Sequence, residues 1–171
     1  MILVAGVGYS HLSDLSFGPQ LVERLQTMEW PAEVQIEDLS YGPITVVQWF
    51  QDDPGRFDRA IFAGAMQRGR PPAMVTRYEW DNAQWSSEDV HQRLTEAVTG
   101  VVSVENTLVV AGYFGLLPAR TSVIEFEPVD VEWGLELGQF GKQRLNEVVD
   151  AIRDDVFLEA EHTERRQTFN E

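Results

Sequence analysis

The sequence contains no cysteine and a single lysine, Lys142. Without cysteine there is no disulfide, no thiolate metal site, no iron–sulfur cluster and no cysteine nucleophile. Positive charge is scarce altogether: 13 Lys+Arg stand against 28 Asp+Glu, a net charge of −15. A surface of that sign repels phosphate backbones and anionic lipid, so neither nucleic acid nor a membrane is an expected partner. No apolar run approaches the ~20 residues that a bilayer-spanning helix needs. The opening MILVAGVG carries no basic leader and no cleavage site, so it reads as a buried strand of a cytoplasmic protein. Several motifs are missing too. No G-x-S-x-G elbow and no phosphate loop ending in Gly-Lys-Ser/Thr occurs, and His11 holds the third glycine position of a G-x-G-x-x-G turn. The histidines His11, His91 and His162 lie too far apart to form an H-x-x-x-H ligand pair.

What remains is a chain of 171 residues, 43% of them hydrophobic, which suits one domain with a sizeable core. Ile2 to Val7 is a continuous apolar run, as in a parallel strand buried on both faces. Phe17, Leu21, Leu25 and Met28 recur at helical spacing. VQIED (34–38) reads as a strand, and PITVVQWFQDD (43–53) as a helix opened by its proline. RAIFAGAM (59–66) is a third buried strand; QRGRPP makes a turn, and MVTRYEW (74–80) alternates like a partly exposed strand. Helices follow over 86–100, with Ser87 as the expected N-cap, and over 103–115. TSVIEFEP (121–128) is a strand and 139–157 an amphipathic helix. The domain is therefore expected over 1–157, with a charged, flexible tail over 158–171.

Alternating strands and helices predict a three-layer α/β sandwich with a mostly parallel, twisted sheet. Ligands of such sheets sit beyond the carboxyl ends of the strands. The loops 8–18, 38–43, 64–72 and 128–138 are thus the places to look, and His11, Asp14, Asp38, Tyr41 and Trp133 fall there. Asp14 precedes a helix and is expected to cap it.

The stretch GVGYSHLSDLSFG (6–18) resembles the N-terminal signature of the nickel–iron hydrogenase maturation endopeptidases, roughly G-x-G-N-x-L-x-x-D-E-G-x-G. Gly6, Gly8, Leu12, Asp14 and Gly18 match it. The resemblance continues through RAIFAGAM and SVENTLVVAGYFGLLP, and through VIEFEPVDVEWGLELG, which is similar to the family's V-x-G-I-E-P…G-L-x-L-S segment. It covers about residues 1–155 and implies the hydrogenase maturation protease-like fold. Family members clip a C-terminal extension from the hydrogenase large subunit, recognising its bound nickel through a Glu, an Asp and a His.

Carried onto this chain, those three ligand positions are Leu15, Gly64 and Gly100, the last by counting back from Pro118. Tyr9 replaces the motif's Asn. None of Leu15, Gly64 and Gly100 offers a side-chain lone pair, and nickel needs oxygen or nitrogen donors. The resemblance therefore implies a noncatalytic homologue with no metal and no cofactor. It would bind a protein, a nickel–iron hydrogenase large subunit or a maturation factor, through a surface that includes Tyr9, Leu15, Tyr41 and Trp133. Two other readings start from the same residues. One is an active endopeptidase with ligands rearranged among His11, Asp14, Asp38, Glu88 and His91. The other is a permanent structural subunit of a hydrogenase complex.

Overall fold

The computed structural model describes residues 1–82 and 84–168, the side chains of 158–168 excepted. Five strands, β1 (Ile2–Gly6), β2 (Val34–Asp38), β3 (Arg59–Ala65), β4 (Val75–Glu79) and β5 (Arg120–Phe126), form one sheet in the order β2-β1-β3-β5-β4. Pairing is parallel throughout except for β4, which runs antiparallel on the edge beside β5. The helices are α1 (Phe17–Gln26), α2 (Pro43–Asp52), α3 (Ser87–Val98), α4 (Val104–Tyr113) and α5 (Gln139–Thr168). A short 3-10 turn, Ser13–Ser16, leads into α1. The expected α/β sandwich and its mostly parallel sheet are the observed architecture.

Both faces of the sheet are covered, which is why its central strands are continuously apolar. Side chains alternate across a strand. Ile2, Val4, Ile61, Ala63, Ile124 and Phe126 therefore pack on one side against α1 and α5. On the other side Leu3, Ala5, Ala60, Phe62 and Val123 meet Val46 and Phe50 of α2 and Val104 and Leu108 of α4. Phe17 and Phe126 stack at 4.7 Å, joining the start of α1 to the end of β5. Helix α3 lies outside this frame, burying Val90 against a cluster that includes Val47 of α2 and Val109 and Val110 of α4. No helix among the described residues is long and apolar enough to cross a membrane.

Two details differ from expectation. The N-cap of α3 is Ser86 rather than Ser87. Its hydroxyl accepts from the Asp89 amide at 3.1 Å while the Asp89 carboxylate accepts from the Ser86 amide at 2.9 Å. This reciprocal pairing requires the serine three residues before an acidic side chain, a spacing that only Ser86 has. Helix α5 also continues beyond 157, its backbone being helical to Thr168. The charge-rich tail expected at 158–171 falls there, with its side chains and residues 169–171 outside the described residues.

Helix α1 starts hard against the end of β1. A Cβ at Gly6 would run into the carbonyl of Gly18, and one at Gly18 would run into the backbone of Val7. Glycine at both positions lets the loop 7–16 fold back over the carboxyl edge of the sheet, where the candidate site lies.

Candidate functional site

The loop after β1 is held from three directions. The Gly8 amide donates to Ser40 Oγ at 3.1 Å, and the Ser40 amide donates to Asp38 Oδ1 at 3.0 Å, tying the loop to the end of β2. Tyr9 reaches the α3–α4 connection, its hydroxyl accepting from the Val102 amide at 3.0 Å. The segment 11–14 pairs with the loop after β5: the Ser13 amide donates to the Gly134 carbonyl and the Gly134 amide to the His11 carbonyl, both at 3.1 Å.

Asp14 is fully buried and does not cap α1. Its carboxylate faces the loop after β5 instead. Oδ2 accepts from the amides of Val129 and Asp130 at 2.9 and 3.0 Å, and Oδ1 accepts from Gly138 at 2.9 Å. Gly138 immediately precedes α5, so the carboxylate sits at that helix's electropositive end. The expected cap of the helix that follows Asp14 is not made; the carboxylate binds loop amides ahead of α5 instead. The chain that supplies the donors lies more than a hundred residues downstream, beyond the reach of local patterning.

The three positions that the resemblance marks as metal ligands cluster only in part. Leu15 and Gly64 both border Val7–Tyr9: the Tyr9 amide donates to the Leu15 carbonyl at 3.1 Å, and a Cβ on Gly64 would stand 2.5 Å from the Val7 carbonyl oxygen. It would also stand 2.7 Å from Val104 Cγ2. Position 64 is therefore filled space. Leu15 is half-buried. Gly100 occupies the exposed α3–α4 turn with φ of +92° and open space around it. Tyr9 bridges from the β1 loop to that turn.

Beside Gly64, in register on β5, stands Glu125, 1% exposed. Its carboxylate accepts from Arg68 at 2.9 Å, from Arg70 at 2.6 Å and from the Tyr78 hydroxyl at 2.8 Å. Burial alone would raise the Glu125 pKa. The hydrogen bonds from Arg68, Tyr78 and Arg70 outweigh it and hold the carboxyl below its ordinary range. Tyr78 moves the other way: burial first, then its bond to Glu125, pushes the phenol up to about 12. Glu127 accepts from the backbone amides of Arg68 and Gly69 at 2.9 and 3.0 Å, and Arg68 also pairs with Glu105 of α4 at 3.2 Å. The segment after β3 is thereby fastened over the end of β5. Sequence reading passed over this cluster. A glutamate inside the apolar run VIEFE, facing a turn that holds two arginines, was the available signal.

A metal does not fit these residues. The acids around Gly64 are committed to arginines and backbone amides, and the guanidinium groups repel a cation. The Asp14 carboxylate is turned to three amides. His11 and His91 are exposed and on separate elements. Among the described residues no three His, Asp or Glu side chains come together as ligands, so the structure does not gather His11, Asp14, Asp38, Glu88 and His91.

The outer rim of the same edge is apolar. Tyr41 is exposed at the loop after β2, and Ile44, Pro43, Leu94 and Val98 line a groove between the start of α2 and the end of α3. Trp133 is 76% exposed, so it belongs to the surface and not to the core. Its ring lies 5.5 Å from that of His11. The edge thus presents an exposed apolar surface made by Tyr41, Ile44, Val98 and Trp133.

No family model and no curated protein matches the sequence. Solved structures do. A hydrogenase 2 maturation peptidase from Thaumarchaeota archaeon SCGC_AB-539-E09 is 27% identical, covering 92% of this chain and 98% of its own, with a TM-score of 0.65. The hydrogenase maturating endopeptidase HybD of E. coli is 19% identical over 88% of each chain, with a TM-score of 0.62. The maturation protease HycI of Thermococcus kodakarensis is 17% identical over 90% of each chain, at 0.58. The chain has the fold of the nickel–iron hydrogenase maturation proteases and resembles that family along nearly its whole length.

Proposed function

We propose that this protein is a noncatalytic homologue of the maturation proteases, acting in the cytoplasm as a binding or assembly factor. Its client is a nickel–iron hydrogenase large subunit or a maturation factor that accompanies one. The observation that carries the reading is position 64. Where the resemblance calls for an aspartate, a glycine is packed against the Val7 carbonyl and Val104 with no room for even a methyl group. Leu15 supports it, since an apolar side chain adds contact area and removes a charge that is costly to desolvate.

The test has two parts. Calorimetry with nickel and zinc ions on the purified protein is expected to show no binding at micromolar concentration. Incubation with a nickel-loaded large-subunit precursor is expected to give a stable complex and no C-terminal mass loss. Cleavage would establish the endopeptidase reading with rearranged ligands. Copurification at fixed stoichiometry with mature enzyme, and not with precursor, would make the protein a permanent subunit.

A further inference from the structure

The loop after β5 reads VDVEWGLEL (129–137), apolar and acidic residues in alternation. Its backbone is fixed in place. Asp14 holds the start and the end of the loop, and His11 and Ser13 hold the middle through Gly134. The Leu135 carbonyl accepts from the Gln20 side chain at 3.1 Å. Leu137 is buried in the core and Val131 is half-buried, yet three of the loop's five apolar side chains are turned outward: Val129 is 47% exposed, Trp133 76% and Leu135 70%. Burying side chains of this size is worth roughly 1.5–3 kcal/mol each, so three on one pinned segment are a costly display on a folded surface. Between them stand Asp130, Glu132 and Glu136. Among the described residues only Glu136 has a cation, Lys142, and no basic residue occurs between 128 and 141.

We propose that this loop is a preformed docking surface for a basic, apolar-bearing segment of the partner protein. The occupant is a chain stretch whose aliphatic side chains cover Trp133 and Leu135 while arginines or lysines meet Asp130 and Glu132. The proposal deepens the client-binding reading above and rests on it. Charge complementarity selects the occupant: an acidic or merely apolar segment would leave two carboxylates beside it without a counterion, a costly arrangement once water is displaced. Rigidity favours affinity, because a loop already fixed by backbone hydrogen bonds loses little freedom when it is covered.

The test uses the full chain and three short synthetic peptides, alternating Leu with Arg, Leu with Glu, and Ser with Arg. Binding is read by fluorescence anisotropy of the labelled peptide. The Leu–Arg peptide is expected to bind, and the other two to bind at least tenfold more weakly. Trp133→Ala and the charge reversal Glu132→Lys should each weaken the Leu–Arg peptide by about tenfold, the scale of losing one anchor. Both residues are exposed, and unchanged melting temperatures will establish that the variants fold. Equal binding of the Ser–Arg peptide would reduce the effect to the net charge of the protein and overturn the proposal. So would wild-type affinity in both variants. The same variants tested on a hydrogenase large subunit separate the two readings. A client held equally by wild type and Trp133→Ala keeps the client reading and sinks the docking surface. A Leu–Arg peptide bound at Trp133 with no affinity for the large subunit does the reverse.

Discussion

Replacing Asp14 by alanine tests whether this residue is a structural clamp or a functional carboxylate that happens to be buried. The side chain accepts three amide hydrogen bonds, from Val129, Asp130 and Gly138, and has no exposed surface. Hydrogen bonds to a charged acceptor contribute about 1.5–3 kcal/mol each, but the three share one group and do not add in full. Water will also reach some of the abandoned donors, since Val129 and Asp130 lie on an exposed loop. The expected loss is therefore about 3–5 kcal/mol. For a domain of this size it corresponds to a fall in Tm of roughly 6–20 °C. The Asp14→Asn variant would retain an acceptor for Val129 and Asp130 while setting an amide donor against Gly138, so it should lose about half as much. Calorimetric melting gives the totals, and hydrogen exchange at 129, 130 and 138 shows whether the loss is local. An Asp14→Ala protein melting within about 2 °C of wild type, with those amides still protected, would refute the clamp.

Gly64→Ala should destabilise by about 1–3 kcal/mol in urea unfolding, because the Val7 carbonyl cannot retreat from the new methyl group. Adding Val104→Ala removes one of the two collisions and should not restore stability. Tyr9→Phe leaves the Val102 amide without its acceptor and should cost about 1 kcal/mol, with faster exchange at Val102. Acid sensitivity should trace partly to Glu125. Its folded pKa lies below the unfolded value, so the stability it contributes is present above about pH 4.3 and is lost as pH falls through the folded value. Glu125→Gln should flatten that part of the pH–stability curve. At the other end, absorbance titration should find one tyrosine ionising near pH 12, and Tyr78→Phe should abolish that step.

Much of this fold was readable before any coordinates, because each element carries a signal of its own. The run Ile2–Val7 is apolar at every position since both faces of β1 are covered, and Pro43 opens α2 in the position where a missing amide costs nothing. The partly exposed alternation over 74–80 matches an edge strand. The Ser86 cap was missed by one residue because two serines stand together and only their partners distinguish them. The candidate edge was legible as a set of loops at the strand ends, and the structure sets Leu15, Gly64 and Tyr9 next to one another beyond β1. What escaped was every role set by distant chain. Asp14 finds its donors in residues 129–138. Glu125 finds Arg68, Arg70 and Tyr78 on two other segments. A carboxylate's partners are chosen by the tertiary fold, and short-range periodicity holds no record of them.

The span of the Asp14 clamp also bears on how the protein is made. The amides that satisfy this carboxylate lie 115 to 124 residues after it. At roughly 5–20 residues per second on the ribosome, the aspartate waits about 6–25 s before its partners have been synthesised. Strands β1, β2 and β3 can pair during that interval, but the edge beyond them stays open, with a bare carboxylate and no docking loop across it. The surface that would receive a partner is thus among the last parts of the nascent chain to close, and a polypeptide cut short before residue 129 would never display it.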